Sequence, residues 1–193
     1  MRLEGKVAIV AGAGQTPGET IGNGRATSIL FAREGARLLL ADRDPASLEE
    51  TLSMVRAEGG EASAFEADVT DEDAVRNMVE ACVARYGRID VLQNNVGIAR
   101  GDAPYHMLSR SSWEHIFDVN LTGMLLTCQH VTPVMRQQQC GSIINISSVA
   151  SIAATTMAAY KASKAAVNAF TQHVAMANAR HGIRANVVMP GLM

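Results

Sequence analysis

Six short runs of apolar residues, alternating with helical stretches, constrain this chain more than any other feature of it. They lie at residues 6–11, 36–41, 61–67, 89–92, 143–146 and 183–188. Most are apolar throughout, without polar residues at alternate positions, which is the pattern of strands buried on both faces. Such strands need helices on both sides, and repeated strand–helix units supply them through crossovers between parallel strands. The 193 residues are therefore expected to form a single α/β domain over 1–193, long enough for a sizeable core. Its expected architecture is a doubly wound parallel Rossmann-type sheet, strand order 3-2-1-4-5-6, with helices on both faces.

The intervening helices carry their own punctuation. Residues 25–34 run into Gly35 as a stop signal, Asp44-Pro45 supplies an N-cap and a first-turn proline, and 71–86 opens with acids. Residues 98–110 read as a loop. Ser111-Ser112-Trp113-Glu114 fits a capping box that opens one long helix, residues 111–138, and 157–180 reads as the last helix. Residues 119–135 and 165–179 contain no Asp, Glu, Lys or Arg. A helix packed on one side of a sheet normally shows water a charged stripe. Both helices are thus expected to be covered by another copy of the chain, in a homodimer or homotetramer, for which a light-scattering mass above the monomer's is the check.

Composition excludes several classes. Charged residues make up 19% and the net charge is −2, so no basic field invites nucleic acid or an anionic membrane surface. No apolar stretch approaches the roughly 20 residues of a membrane span, and Met1-Arg2-Leu3-Glu4 does not open an export signal. Cys82, Cys128 and Cys140 are odd in number and lack Cys-x-x-Cys spacing. Read as reduced thiols, they imply a cytoplasmic location. His106, His115, His130, His173 and His181 form no ligand-type spacing, and no metal site is expected.

Between the first run and the first helix lies the segment Gly12-Ala13-Gly14-Gln15-Thr16-Pro17-Gly18-Glu19-Thr20-Ile21-Gly22-Asn23-Gly24. Glycines there let backbone approach a pyrophosphate closely, and the N–H groups that open the next helix attract it. Gly12, Gly22 and Gly24 are the candidates, with Asn23 between the last two. Asp42 ends the second run, where a carboxylate accepts from a ribose 2′-hydroxyl and repels a 2′-phosphate. No Lys or Arg lies between Gly12 and Gly24 to offset that repulsion, although Arg43 adjoins it. The reading favours NAD, with NADP as the alternative.

Residues 142–164 leave the fifth run through Ser147-Ser148, cross a stretch of small residues and enter the helix carrying Tyr160 and Lys164. Four residues is about one helical turn, so phenol and ammonium share a face with Cβ atoms roughly 5–6 Å apart. A phenol has a reference pKa of about 10, and lowering it by two to three units takes about 3–4 kcal/mol. One cation at about 5 Å in an effective dielectric near 20 supplies roughly 3 kcal/mol. The spacing is chemically sufficient for proton exchange with an alcohol oxygen. An isolated Tyr-x-x-x-Lys is more often a solvated helix face; its place after a fifth strand, beside a glycine loop, gives it weight.

These motifs, in this order, resemble the short-chain dehydrogenase/reductase family in its compact single-domain form. The glycine loop is similar to that family's Thr-Gly-x-x-x-Gly-x-Gly, with Ala11 in the Thr place. Asp68-Val69 resembles the pair that meets adenine, and Asn94-Asn95-Val96-Gly97 resembles Asn-Asn-Ala-Gly at the end of the fourth strand. Asn120, Ser148, Tyr160 and Lys164 match the catalytic asparagine, serine, tyrosine and lysine, and Pro190-Gly191 the turn beside the nicotinamide.

The resemblance implies an NAD(H)-dependent oxidoreductase interconverting a secondary alcohol and a ketone as small-molecule substrates. The alternatives are an NADPH-dependent 3-oxoacyl thioester reductase and a non-catalytic dinucleotide-binding regulator; the last is expected to lack Tyr160, Lys164 or Ser148, and all three are present. By resemblance, Tyr160 exchanges the proton and Lys164 lowers its pKa and bonds the nicotinamide ribose. Ser148 hydrogen-bonds the substrate oxygen, and Asn120 anchors a water linking Lys164 to solvent. Asp42, Asp68, Val69, Asn95, Gly97, Tyr160, Lys164, Pro190 and Gly191 join Gly12, Gly22, Asn23 and Gly24 in holding the cofactor.

Three departures stand out. The glycine loop carries about six extra residues, leaving open whether Gly14 or the insertion touches phosphate. The Ser148–Tyr160 linker is one residue shorter than in many members, which leaves Ser147 as a second candidate for the serine. Family members also continue past Pro-Gly into a substrate lid and a further strand, which this sequence, ending at Met193, does not include. The substrate's identity is not legible in these motifs.

Overall fold

The computed structural model describes residues 1–18 and 20–191; the insertion's Glu19 and the last two residues lie outside them. Its strands are β1 (Val7–Ala11), β2 (Arg37–Asp42), β3 (Ala62–Glu66), β4 (Val91–Asn94), β5 (Gly141–Ile146) and β6 (Ile183–Val188). They form one sheet in the order β3-β2-β1-β4-β5-β6, parallel at every pairing. This is the expected doubly wound topology. The helices are α1 (Asn23–Arg33), α2 (Pro45–Ala57), α3 (Glu72–Tyr86), α4 (Arg110–Phe117), α5 (Gly123–Gln138) and α6 (Ala158–Asn178).

Strand β1 shows why its run is apolar throughout. Val7, Ile9 and Ala11 join one core with Leu39, Met78, Leu92 and Ile143, while Ala8 and Val10 join the opposite core with Leu38, Leu40, Leu52 and Val55. Side chains alternate across a strand, so a strand covered on both sides needs apolar residues at every position. Each large aliphatic side chain fully buried in this way contributes about 1.5–3 kcal/mol. Chain order reverses between β1 and β4, and in open parallel sheets the crevice at such a reversal, beyond the strands' C-terminal ends, is where ligands bind.

Helix ends follow local chemistry. The Asp44 carboxylate accepts from the N–H groups of Ala46 and Ser47 ahead of α2, and Gly35 follows α1 with φ +87°. The expected helix over 111–138 needs two corrections. Its cap is Ser109, whose Oγ accepts from the Ser112 N–H at 3.1 Å, while Glu114 instead pairs with Arg110 at 2.7 Å. The helix is also not continuous: a π-helical turn, Asp118–Thr122, separates α4 from α5. Such a turn holds one extra residue and is frequent at functional sites; here it contains the fully buried Asn120. Other boundaries shift as well: α1 and β5 each begin two residues earlier than expected, β4 begins two residues later, and α6 gives way at Ala179 to a 3₁₀ turn, Ala179–His181.

The uncharged stretches of α5 and α6 show Leu125 and Met176 at the surface, with Trp113 of α4. Among the described residues, no helix is long and apolar enough to cross a membrane, and no cluster of three or more His, Cys, Asp or Glu is placed to hold a metal. All three cysteines are free thiols. Cys82 and Cys128 are buried, and desolvation pushes both up to about 12.

Candidate active site

A cleft of about 500 Å³ opens beyond the C-terminal ends of β1, β2 and β4, lined by Gly12, Gly14, Gln15, Gly22, Asn23, Asp42, Asp68, Val69, Asn95 and Gly97 among others. Its floor depends on two glycines. Gly12 has φ +80°, a conformation that L side chains rarely adopt. A Cβ on Gly24 would run into the Gly12 carbonyl oxygen and come within 2.8 Å of the Asn95 Nδ2. Asn95 itself donates to that carbonyl at 3.1 Å, so β4 and the first turn of α1 are drawn together around Gly12.

The β2 wall is built by Asp42. Its Oδ2 accepts from the Gly14 N–H at 2.8 Å and its Oδ1 from the Asp44 N–H at 3.1 Å. At the third wall, burial alone would raise the Asp68 carboxyl. Hydrogen bonds from the Thr70 N–H and hydroxyl, with the charges of Arg43 and His115, outweigh that and hold it below its ordinary value. Val69 is buried beside it.

Several residues of this loop escaped the sequence reading. The Gln15 N–H donates to Ser47 Oγ at 2.7 Å, and the Gln15 side-chain oxygen accepts from the Gly22 N–H at 2.8 Å. The buried Arg25 donates to Thr51 Oγ1, Ser47 and Glu50, and Thr51 donates to the Ala13 carbonyl. The longer loop is thus pinned to α2 by side chains that no glycine motif names. Of the insertion, residues 15–21, Gln15, Thr16, Pro17, Gly18 and Thr20 line the cleft.

At the β4–β5 end the cleft meets the second motif through Gly97, where an added Cβ would sit 2.7 Å from Lys164 Nζ. Lys164 is 2% exposed and donates to the Ile146 carbonyl at 2.9 Å. It makes no ion pair among the described residues. Its Nζ lies 5.8 Å from the centroid of the Tyr160 ring, and the half-buried Tyr160 hydroxyl makes no hydrogen bond among the described residues.

The two serines separate clearly. Ser147 is 3% exposed and its Oγ donates to the Lys164 carbonyl, a bond internal to the fold. Ser148 is half-buried; its Oγ accepts from the Ala150 N–H, and its own proton has no acceptor among the described residues. Asn120 is fully buried: Oδ1 accepts from the Ile98 N–H at 2.7 Å, and Nδ2 donates to the Ile98 carbonyl and to Ser163 Oγ. The Pro190 carbonyl accepts from the Val149 N–H at 3.0 Å, which sets Pro190 against the Ser148 loop.

Burial pushes the Lys164 ammonium from the ordinary 10.5 down to about 8. A lysine whose folded value lies below its unfolded one is neutralised on folding between the two, so its contribution to stability rises with pH through that window. Cys82 and Cys128 act in the opposite sense once unfolded thiols ionise, near the ordinary 9.0. The difference between wild type and Lys164→Met isolates the lysine. In urea titrations, the wild type is expected to gain on the variant by about 3 kcal/mol between about pH 8 and 10.5. A pH-independent difference would contradict the burial of a charged Nζ.

Comparison with known proteins gives the family. Residues 6–193 match the family model described as short chain dehydrogenase. The chain is 39% identical to a 3-oxoacyl-(acyl-carrier-protein) reductase of Thermotoga maritima, over 100% of this chain and 76% of that protein. It is 37% identical to a 2,3-dihydro-2,3-dihydroxybenzoate dehydrogenase of Bacillus subtilis, over 98% of this chain and 70% of that protein. Among solved structures, an NAD⁺-bound xylitol dehydrogenase superposes with a TM-score of 0.92 at 35% identity, over 99% of this chain and 72% of that one. This chain belongs to the short-chain dehydrogenase family.

Proposed function

We propose that this protein is an NAD(H)-dependent oxidoreductase that interconverts a secondary alcohol and a ketone, with Tyr160 as the proton donor and acceptor. The observation that carries the reading is the junction at Gly97. There the cleft that Asp42 lines at β2 borders, through Gly97, the buried Lys164, whose Nζ lies 5.8 Å from the centroid of the Tyr160 ring; among the described residues Lys164 has no ion pair and the Tyr160 hydroxyl no hydrogen bond.

The residues present fit a dinucleotide. The close approach of Gly12 and Gly24 leaves backbone, and not side chains, facing the cleft, as a pyrophosphate requires. Gly22 and Asn23 open α1 at the same wall. Asp42 would receive the adenosine ribose hydroxyls, Asp68 and Val69 the adenine, and Asn95, Gly97, Pro190 and Gly191 the nicotinamide half. When bound, the nicotinamide accepts or supplies the hydride.

The chain's own residues handle the proton. The Tyr160 hydroxyl exchanges it with the substrate oxygen, and Ser148 donates a hydrogen bond to that oxygen with its free proton. Lys164 places a positive charge where phenolate charge develops and bonds the nicotinamide ribose. Asn120 fixes the Gly97-Ile98 turn against α6. One lone pair of its Oδ1 remains for a water that links Lys164 to solvent.

Fluorescence titration with NADH and NADPH tests the cofactor assignment, and a dehydrogenase screen over alcohols, sugars, steroids and acyl thioesters tests the reaction. NADH is expected to bind tighter, because Asp42 presents a carboxylate where NADPH carries a phosphate. Tighter NADPH binding together with turnover of a 3-oxoacyl thioester would favour the second reading, the activity named for the Thermotoga maritima relative. Arg43, beside Asp42 on the cleft wall, is the residue that would support it.

A further inference from the structure

We infer that Asp102 is a positioning residue for catalysis: its carboxylate, from the loop between β4 and α4, holds the backbone of Tyr160 at the start of α6. The inference rests on the proton-transfer reading of Tyr160.

Helix α6 lacks a cap of its own. Met157 occupies the cap position, with no side-chain hydrogen bond, although the first-turn N–H groups of a helix have no partners within it. The partners come from Asp102 and Ala103, more than fifty residues earlier. Asp102 Oδ2 accepts from the Tyr160 N–H at 2.7 Å, and Oδ1 accepts from the Ala159 N–H at 3.1 Å. The Ala103 carbonyl accepts from the Ala158 N–H at 3.3 Å. Hydrogen bonds from backbone N–H to an ionised carboxylate are the stronger kind, and a negative charge at a helix N-terminus is favourable.

The loop is shaped to deliver that carboxylate. The Asp102 N–H donates to the Ala99 carbonyl at 3.1 Å, and Gly101 between them has φ +86°. This closes a turn that needs glycine at its third position. One residue before the turn, Ile98 is gripped at both its N–H and its carbonyl by Asn120. Asn120 also donates to Ser163 Oγ, which in turn donates to the Tyr160 carbonyl at 2.9 Å. Both main-chain polar groups of Tyr160 are therefore tied to one loop, the N–H through Asp102 and the carbonyl through Ser163 and Asn120. Among the described residues the phenol at the end of that side chain has no hydrogen bond to locate it, so the ties on its backbone are what position it.

None of these contacts touches the glycine loop or Asp42, which separates the expected effects. With NAD⁺ and whichever panel alcohol is turned over fastest, Asp102→Ala is expected to lower kcat at least tenfold while KM for NAD⁺ and the Kd for NADH stay within threefold. Asp102→Asn keeps an acceptor oxygen and should recover most of the lost kcat. A merely structural role would instead raise KM and Kd together and gain nothing from the Asn variant; that pattern, or wild-type kcat in Asp102→Ala, overturns the inference. Hydrogen exchange on the unmodified protein needs no variant. The Tyr160 amide should be protected despite lying in a first turn, and exchange at the rate of an unbonded amide overturns the inference as well. Tyr160→Phe run in parallel tells the two layers apart: if it keeps its turnover, the proton-transfer reading falls, and if it is inactive while Asp102→Ala is not, only the positioning role falls.

Discussion

Replacing Tyr160 with phenylalanine is expected to lower kcat by roughly 10²–10⁴-fold, the usual contribution of a positioned proton donor. NADH affinity should fall by no more than about tenfold, the worth of one hydrogen bond from the phenol. The phenol oxygen makes no hydrogen bond among the described residues and Lys164 is anchored independently on the Ile146 carbonyl. Removing the hydroxyl therefore leaves no buried partner unsatisfied, and unfolding free energy should move by less than about 1 kcal/mol. Loss of turnover without loss of stability is the informative combination, read by absorbance of the reduced dinucleotide and by a denaturant titration of the same preparation. Wild-type kcat in the variant would end the assignment of Tyr160.

Gly24→Ala should act at the other end of the site and through a different cause. A single methyl placed there meets the Gly12 carbonyl oxygen, which is main chain and cannot rotate away, with the Asn95 amide close behind at 2.8 Å. Relief requires α1 to move off β1 and β4, so a stability loss of about 1–3 kcal/mol is expected, as for other overpacked sites. The same movement opens the floor of the cleft. NADH affinity should fall by about a hundredfold, equivalent to about 2.7 kcal/mol. Gly18→Ala is the natural control, because among the described residues a Cβ there would meet only the Thr16 carbonyl oxygen, at 3.9 Å. Comparable NADH affinity in the two variants would show that the Gly12–Gly24 approach is not what shapes the site.

The fold was legible because its strongest signal is short-range. Strands such as β1 and β2 are buried on both faces, and that requirement is visible residue by residue in Val7–Ala11 and Leu38–Ala41. Tyr160 and Lys164 were legible for a similar reason, since one helical turn fixes their relation. Helix ends were harder to read. Ser109 and Ser111 both offer a hydroxyl near the start of α4, and only the bond from the Ser112 N–H distinguishes them. The π-helical turn has no composition signal in Asp118–Thr122; it is stabilised by Asn120 reaching Ile98 and Ser163, contacts 22 and 43 residues away in sequence. Arg25, Ser47 and Asp102 were missed on the same ground. Their roles are bonds to groups far away in sequence, side chains for Arg25 and main-chain N–H groups for Ser47 and Asp102, which a linear motif does not record.

Asp42 has a consequence for how cofactor choice is made. Before any ligand arrives, one of its oxygens is bonded to the Gly14 N–H and the other to the Asp44 N–H. A carboxylate has about four lone-pair sites, so under the proposed role ribose hydroxyls would add to these bonds without replacing them. The rotamer entropy of the side chain is lost when the chain folds and not when the ligand binds. On the proposed NAD(H) reading, a 2′-phosphate would meet a carboxylate that its own backbone bonds hold in place, and cofactor choice would be built into the fold of the β2 wall.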